Sequence, residues 1–346
     1  SGSRNIAAGF QALYNNTNSS GNIAIGANSL YKHFDGENNI GIGTNSLYSH
    51  NSGGDNIAAG YEALYNHLSG YGNMAIGRQA LYNNIYGDRN TAIGFLALYS
   101  GTSLSDMVAI GTQALYSNTM GKYSTAVGIR SLYNNTDGSF NTANGFETLY
   151  SNTKGDDNTA VGFSALKYNT EGNGNTAFGK YALYVNKLGS FNTAIGRGSL
   201  ISSENGYYNV ALGDYPLSFN ITGDHNIAIG ARALYNSDAD ENIAIGSASM
   251  MSNTLGLSNT AIGTNSLMNN TIGIYNTALG HGADVKFGTF FNATALGAGA
   301  LAAGSNSVVI GNNVVTNIGG YSNWFNLSDG RFKKNIKDDI HGLDFI

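Results

Sequence analysis

The stretch "NTAIGRGSL", residues 192–200, returns as close copies at regular intervals along the chain. "NTAFGKYAL" at 175–183 precedes it by 17 residues, and "NVALGDYPL" at 209–217 follows it by the same distance. Self-similarity at a fixed short period is the signature of a repeat architecture, in which each unit packs mainly against its neighbours. The repeat therefore decides the fold.

The glycine that ends "NTAIG" shows how far the repeat extends. It recurs every 17 residues from Gly9 to Gly230 and then, after one step of 16, at Gly246, Gly263 and Gly280. Shorter and looser copies continue to about residue 315. The consensus is N-[T/I]-A-[I/V/L]-G-x-x-[A/S]-L-Y-x-N-x-x-G-x-x, and its positions are numbered 1 to 17 below.

Each unit holds two short apolar stretches separated by glycine and closed by a polar loop rich in Asn, Gly and Asp. Neither stretch is long enough for a helix, and each suits a strand of about three to five residues. The pattern predicts an all-β chain, a parallel β-solenoid with about 17 residues per coil and about 18 coils. Coils one strand spacing apart would form a shaft roughly 85–90 Å long.

Two adjacent columns of the repeat raise the question of a partner. Position 3 is Ala in every good copy but one, which has Gly41, whereas position 4 is bulky, as in Ile25, Phe178 and Leu212. Neighbouring strand residues point to opposite faces, so both faces of this strand are apolar. One face can line the coil, but an exposed ladder of Ile would form a large apolar patch. The sequence predicts a parallel homotrimer that covers it, and leaves open which column faces the oligomer axis.

The remaining columns predict how the coils are held together. Position 9 is Leu from Leu13 to Leu234, and position 10 is mostly Tyr from Tyr14 to Tyr235. Buried Leu would stabilise each coil, and the Tyr column is expected to stack as an aromatic ladder with its hydroxyls at the wet edge. The Asn at position 1 can link coil to coil through side-chain amides. The glycine at position 5 indicates a corner that needs positive φ or a close backbone approach.

Composition excludes several classes of protein. Glycine (48 of 346 residues) has no period of three and Pro216 is the single proline, which excludes collagen. A hydrophobic content of 42% is too high for a disordered chain, and the absence of cysteine excludes disulfides and thiolate metal sites. The net charge is −5 with no Lys/Arg cluster before residue 331, so no nucleic-acid surface is predicted. No apolar run approaches the roughly 18–20 residues of a membrane helix, so no membrane insertion is predicted.

Histidine and carboxylate residues are the candidate site residues of the repeats. His33, His50 and His67 recur at the 17-residue spacing and would stack, and we interpret them as polar turn residues rather than metal ligands. Metal and cofactor binding are not predicted. Most acidic residues fall in the variable turns, which form the candidate recognition surface, and examples are Asp35, Asp55, Asp88, Asp156 and Asp157.

Two other solenoid functions were weighed against these columns. Carboxylates form no paired column of the kind that a glycan hydrolase needs, so a solenoid enzyme acting on surface glycan is the alternative rather than the favoured hypothesis. An ice-binding face needs a regular Thr array, but position 2 holds Ile6, Ile23, Ile40 and Ile57 and then Met74.

The repeat resembles two groups of fibrous proteins. "NSVVIGNNV" at 306–314 resembles head repeats of trimeric autotransporter adhesins, and that resemblance implies a left-handed parallel β-roll in a trimer. The 17-residue version is similar to repeats of bacterial and phage tail-fibre-like proteins.

The C-terminal stretch "SDGRFKKNI", residues 328–336, resembles the start of the endosialidase-type intramolecular chaperone family, S-D-x-R-x-K-x-x-I. That family trimerises, assists folding of the preceding β-rich fibre and then cuts itself off. The resemblance implies that Ser328 is the nucleophile, Lys333 its base, and the bond from Leu327 to Ser328 the one cleaved. A serine hydroxyl needs a neighbouring neutral amine to take its proton, so Lys333 would have to be desolvated. Asp329, Arg331 and Ile336 complete the match.

These observations predict three segments: a β-solenoid shaft at 1–315, a linker at 316–327 and a truncated start of the chaperone domain at 328–346. The 19 residues from Ser328 onward are too few for a whole chaperone, so self-cleavage is expected only with the complete domain. The predicted function is a fibre or adhesin shaft, extracellular, on a virion tail, an injection apparatus or a bacterial surface. Its expected partners are its own copies, a cell-surface receptor or glycan, and other fibre or baseplate proteins.

Overall fold

The computed structural model describes residues 2–319 and confirms the predicted all-β parallel solenoid. About 18 coils of about 17 residues stack on one another, and 19 of the strands form a single sheet. No helix that could span a membrane occurs in the described part of the chain. The hand of the coil and the trimer stay predictions.

Nearly every coil contributes one strand of three residues to this sheet, and two further strands of two residues form a small second sheet near the C-terminal end. The strands are β1 (Ile6–Ala8), β2 (Ile23–Ile25), β3 (Ile40–Ile42), β4 (Ile57–Ala59), β5 (Met74–Ile76), β6 (Thr91–Ile93), β7 (Val108–Ile110), β8 (Thr125–Val127), β9 (Thr142–Asn144), β10 (Thr159–Val161), β11 (Thr176–Phe178), β12 (Thr193–Ile195), β13 (Val210–Leu212), β14 (Ile227–Ile229), β15 (Ile243–Ile245), β16 (Thr260–Ile262), β17 (Thr277–Leu279), β18 (Asp284–Val285), β19 (Thr294–Leu296), β20 (Leu301–Ala302) and β21 (Val308–Ile310).

Identical positions of successive coils lie directly over one another. In β11 and β12, for example, Ala177 pairs with Ala194 in a parallel register. The hydrogen-bond ladder continues beyond the strands, because the N–H of Leu183 donates to the carbonyl of Ser199 in the next coil at 2.9 Å. Almost the whole coil is therefore bonded to its neighbours through the backbone, which is why a repeat with only three strand residues can still stack.

The structure decides which face of the strand lies inside. The position-3 alanines from Ala24 onward are fully buried in the coil, and Gly41 takes their place in one coil. The bulky residues at position 4 point outward and keep much of their surface, with Ile25 43%, Phe178 40% and Ile195 42% exposed. The interior beside the strand is too narrow for more than a methyl group, so the larger side chain must face outward.

The second apolar stretch is not a strand, and this part of the prediction was wrong for the regular coils. Leu132 and Leu183 at position 9 have φ of 51° and 48°, in the left-handed region rather than the extended one. Such a conformation costs about 1–2 kcal/mol for a residue with a side chain. Full burial of Leu, which stabilises by about 1.5–3 kcal/mol, offsets that cost. Within residues 2–319, a pair of strands in this second stretch is formed only by β18 and β20.

The corner glycines behave as predicted. Gly179 has a φ of 135°, and a Cβ added to it would lie 2.6 Å from the carbonyl oxygen of Gly196 in the next coil. The same column has φ between 123° and 144° from Gly9 to Gly280. Positive φ and the close approach of stacked backbones both require glycine here.

The two predicted side-chain ladders are also confirmed. The side-chain amide of Asn192 donates to Asn175 Oδ1 at 3.2 Å and to the carbonyl of Gly206 at 2.7 Å, and most coils repeat this pattern. Tyrosine rings stack without interruption from Tyr14 to Tyr150, with centroids 5.1–5.5 Å apart. The predicted stacking does not continue to Tyr235, because Tyr184 and Tyr235 make edge contacts with Tyr168 and Phe219 instead. These ladders fix the register of one coil on the next.

The compact solenoid unit ends at Asn312. Residues 313–319 of the following unit contain no strand. Most of the predicted linker at 316–327 and all of the predicted chaperone segment at 328–346 lie outside the described residues.

Candidate functional site

The predicted self-cleavage residues cannot be placed. Ser328, Lys333 and the bond after Leu327 lie outside the described residues, so the roles of nucleophile and base remain predictions. The candidate functional features of the described part are three surfaces or clusters of the solenoid: an apolar face, the row of turns and a buried histidine column.

The outward apolar face is formed by positions 2 and 4 of the strands in the large sheet. Position 2 is Thr, Ile, Val or Met and is half-buried in most coils, and position 4 is more exposed. At position 6, next to the corner glycine, exposed aromatic residues extend the face in several coils. These aromatic residues are Phe10, Tyr61, Phe95, Phe146 and Phe163. A flat, regular and apolar surface of this kind favours contact with another regular apolar surface.

The row of turns comprises positions 13 to 17 of each coil, and many of its carboxylates already have partners. Arg89 binds Asp106 in the next coil through two hydrogen bonds of 2.6 and 2.9 Å, and this contact lowers the pKa of the Asp106 carboxyl. Lys187 and Glu204 pair across coils in the same way at 2.8 Å. Exposed pairs of this kind contribute little stability, but they align neighbouring turns.

Several acidic residues of the turns also cap the backbone of the preceding coil. Asp88 Oδ1 accepts the N–H of Tyr71 at 2.8 Å, and Asp156 Oδ1 accepts the N–H of Ser139 at 2.7 Å. Part of the acidic composition that suggested a recognition surface is therefore structural, because these carboxylates satisfy turn N–H groups.

One pocket in the row of turns gathers carboxylates. It has a volume of about 300 Å³, and it is lined by Asp35, Glu37 and Asp55, together with Tyr71, Gly36, Asn38, Ser52, Gly53 and Gly54. No group of three or more His, Cys, Asp or Glu residues in residues 2–319 has the geometry to hold a metal ion. The pocket is acidic and polar, which suits a hydroxyl-rich or cationic ligand better than an apolar one.

Sequence reasoning missed a cluster of aromatic residues at position 17. Phe191, Tyr208 and His225 stack with ring centroids 5.1 Å apart, and Phe191 and Tyr208 are 53% and 52% exposed. Tyr123 and Phe140 form a similar exposed pair at 5.2 Å. The signal was present in the sequence as an aromatic residue that recurs at one turn position. It was hidden because the neighbouring coils have Gly, Asp or Glu there.

The interpretation of the histidines as turn residues was wrong. His33, His50 and His67 occupy position 12, which points into the coil, and all three are fully buried. Their rings stack with centroids 5.2 and 5.1 Å apart, as the spacing predicted. Position 12 is Asn in most other coils, so the histidines replace one interior polar residue by another.

A second buried titratable group lies near the C-terminal end of the solenoid. Asp284 stands where earlier coils have Leu, is 7% exposed and accepts hydrogen bonds from the N–H groups of Asn269 at 3.1 Å and Val285 at 2.8 Å. Burial raises its pKa to about 6 although these N–H groups oppose the shift. The carboxylate therefore satisfies a backbone N–H of the preceding coil.

The geometry defines the class of this chain as a parallel β-solenoid repeat protein. Comparison with known proteins finds no protein family that the chain matches and no curated protein that it matches.

Proposed function

We propose that the chain is the shaft of an extracellular homotrimeric fibre that presents its row of turns to a cell-surface receptor or glycan. The observation that supports this most is the outward apolar face, which continues along the stacked coils of a regular rod. The solenoid fold is compatible with a fibre shaft, because coils can be added without changing the cross-section.

The size of the apolar face supports self-association. Three strand residues span about 10 Å and 18 coils span roughly 85 Å, giving an area of about 850 Å² per chain. Stable interfaces bury about 800 Å² on each partner. A second copy of the same chain, in parallel and in register, offers a matching face of the same length and period.

Attachment is assigned to the row of turns because it combines variation with exposure. The exposed aromatic rings at position 17 and the acidic pocket differ from coil to coil, whereas the interior columns are almost uniform. Binding residues are commonly found on loops that a rigid scaffold positions. Other fibre or baseplate proteins are the partners proposed for the ends of the shaft, on a virion tail, an injection apparatus or a bacterial surface.

Charges placed on the apolar face are expected to separate the trimer. In the double variant Phe178→Asp, Ile195→Asp, two outward side chains of adjacent coils become carboxylates, while the buried Ala177 and Ala194 are untouched. We expect multi-angle light scattering to give a trimer mass for the native chain and a monomer mass for the variant, with unchanged far-UV circular dichroism.

The matched control places the same charges on the row of turns. The variant Asn173→Asp, Asn205→Asp changes two turn residues and is expected to remain trimeric. A native chain that is monomeric at micromolar concentration would contradict the proposed assembly, and so would a control that dissociates like the apolar-face variant.

We also propose that the fibre matures by cleavage between Leu327 and Ser328 when the complete C-terminal domain is present. Ser328→Ala removes the attacking hydroxyl, so we expect the full-length gene product to stay uncleaved in that variant. Intact-mass spectrometry of the native shaft should give a C-terminus at Leu327. A native product that continues past Leu327, unaffected by Ser328→Ala, would exclude this processing.

A solenoid enzyme acting on surface glycan remains the alternative, and the pocket with Asp35, Glu37 and Asp55 is the observation that favours it. Glycoside hydrolysis uses two carboxyl groups on either side of the scissile bond. New reducing ends released from a bacterial surface polysaccharide, and lost in Asp55→Asn, would favour this alternative over a purely structural shaft.

A further inference from the structure

The histidine column has a geometry that no other interior column of the described chain repeats. His33, His50 and His67 are fully buried at position 12 of coils 2 to 4, residues 22–72, and their rings lie nearly parallel, 3–6° apart. In coils 8 to 11 the same position holds asparagines, whose amides bond to one another along the column, for example Asn152 Nδ2 to Asn135 Oδ1 at 2.7 Å.

Each imidazole uses only one of its two nitrogens. His33 Nε2 lies 3.1 Å from the carbonyl of Gly36, and His50 Nε2 lies 3.3 Å from that of Gly53, so these nitrogens carry the protons. His67 Nδ1 lies 2.9 Å from the carbonyl of Asn84. Nδ1 of His33, Nδ1 of His50 and Nε2 of His67 have no hydrogen-bond partner. The neutral ring fits this arrangement, because an unused lone pair costs less than an unused N–H.

Protonation would change both the hydrogen bonding and the charge of the histidine column. On His33 and His50 the second N–H would appear at a buried nitrogen that has no hydrogen-bond partner. Positive charges would also stand about one coil apart in the buried interior. The glycines at position 15, which face the rings, have no side chain, and the buried columns of Ala at position 3 and Leu at position 9 hold no titratable side chain in coils 2 to 4. Asparagine at the same position has no such response, since its amide does not titrate.

The groups that raise the pKa of the three histidines do so less than burial lowers it. Burial lowers the pKa of His33, and the nearby Asp35 carboxylate raises it less. Burial and then the other two imidazoles lower the pKa of His50 well below its usual value. Burial also lowers the pKa of His67, with the carbonyls of Asn84 and Gly70 and the carboxylate of Asp88 opposing the shift. Glu37 and Asp55 lie in the adjoining turns but are not among the groups that shift these rings.

We propose that the stacked histidines make coils 2 to 4 an acid-sensitive segment, which opens on protonation while the coils with an Asn column stay closed. The opening is local because each coil of a solenoid is stabilised mainly by its two neighbours. Opening would occur close to the N-terminal end of the described solenoid, and it would separate the turns of coils 2 to 4, including the acidic pocket, from the rest of the rod.

The direction of the pH dependence follows from proton uptake. An exposed histidine titrates near pH 6.5, and the folded rings have lowered pKa values, so the open segment binds more protons below about pH 6.5. The stability of the segment is fully present above that pH and falls as the pH decreases. Each proton taken up on opening increases the opening constant roughly tenfold per pH unit within this window.

Hydrogen exchange measured by mass spectrometry on the full chain tests the proposal. After correction for the intrinsic pH dependence of exchange, peptides from 22–72 should lose protection by at least about tenfold between pH 7 and pH 5, whereas peptides from 141–191 should not. The variant His33→Asn, His50→Asn, His67→Asn introduces the Asn that most other coils have at position 12. The position-15 glycines, whose carbonyls accept from that Asn in other coils, are already present in coils 2 to 4. It retains every carboxylate, and we expect it to abolish the acid response of 22–72.

The reciprocal variant tests whether a histidine column is sufficient to make a segment acid-sensitive. It also tests the proposal if the triple asparagine variant does not fold. Asn135→His, Asn152→His, Asn169→His moves the histidine column to coils 8 to 10, and acid lability should then appear in peptides from 124–174. The proposal is overturned if native 22–72 keeps its protection at pH 5, if the asparagine variant opens as readily as the native chain, or if a folded reciprocal variant gains no acid response.

Discussion

Replacing Gly179 by alanine is expected to lower the free energy of unfolding by about 3–5 kcal/mol, among the largest effects of any single-methyl addition to this chain. The residue sits at a corner with φ of 135°, where an L-residue is strained whatever the space. The new Cβ would also lie 2.6 Å from the carbonyl oxygen of Gly196, closer than carbon and oxygen can approach. Neither atom can move away, because both belong to hydrogen-bonded backbone.

Urea denaturation followed by circular dichroism measures this effect, and hydrogen exchange locates it at coils 11 and 12. Gly304→Ala is the matched control, since no atom lies within 4 Å of a Cβ at that glycine. The control should change stability by less than about 0.5 kcal/mol. Equal stability of Gly179→Ala and the native chain would show that the stacked corners are looser than the structure indicates.

Replacing Asn175 by alanine is expected to lower the free energy of unfolding by about 2–4 kcal/mol. Its Oδ1 accepts the backbone N–H of Asn192 at 3.0 Å, and its amide donates to Asn158 Oδ1 at 3.1 Å and to the carbonyl of Gly189 at 2.9 Å. Alanine leaves the N–H of Asn192 buried without an acceptor, creates a small cavity and breaks the ladder between three coils. The unfolding free energy from a urea titration provides the measurement.

Asn173→Ala is the control for the ladder variant, because it is the same substitution two residues away in the exposed row of turns. Asn173 Oδ1 accepts the N–H of Asp156 at 2.7 Å, but water can replace that contact. We expect a loss of less than about 1 kcal/mol. An equal loss in both variants would contradict the prediction, because the buried ladder bonds would then contribute no more stability than an exposed bond in the turns.

The solenoid, the corner glycines and the Asn and Tyr ladders are predictable from the sequence, because each depends on a residue type that recurs at one position. A residue type that is compatible with two conformations does not allow such a prediction. Leu at position 9 suits a strand, and only the observed φ of about 50° shows that the chain bends there. The histidines were placed in turns because the polarity of their neighbours concealed that position 12 points inward.

The step from coil 6 (residues 90–106) to coil 7 (residues 107–123) shows how side chains can change without altering the stack. Gly101, Leu104 and Met107 stand where most coils have Asn, Gly and Asn, and both Leu104 and Met107 are buried. A Cβ on Gly101 would collide with the side chain of Leu104, so the glycine makes room for the leucine. Asn90 keeps its side-chain bonds to Asn73 and to the carbonyl of Leu104, and the amide ladder is interrupted at Met107 in the next coil. The sequence shows separate deviations from the consensus, whereas the structure shows that Gly101 and Leu104 change together.

The sequence alone determined the period, the number of coils and the parallel stack. The reason is that a 17-residue repeat can bury its apolar columns only when the same position of successive coils is stacked. Tertiary structure decided the orientation of each column: Ala inward and Ile outward, His buried and not exposed, and Leu bent and not extended. The reason is that alternation along a strand fixes only that neighbours face opposite sides. Which side is the interior depends on how tightly the whole coil closes, and that closure leaves room beside the strand for a methyl group and nothing larger.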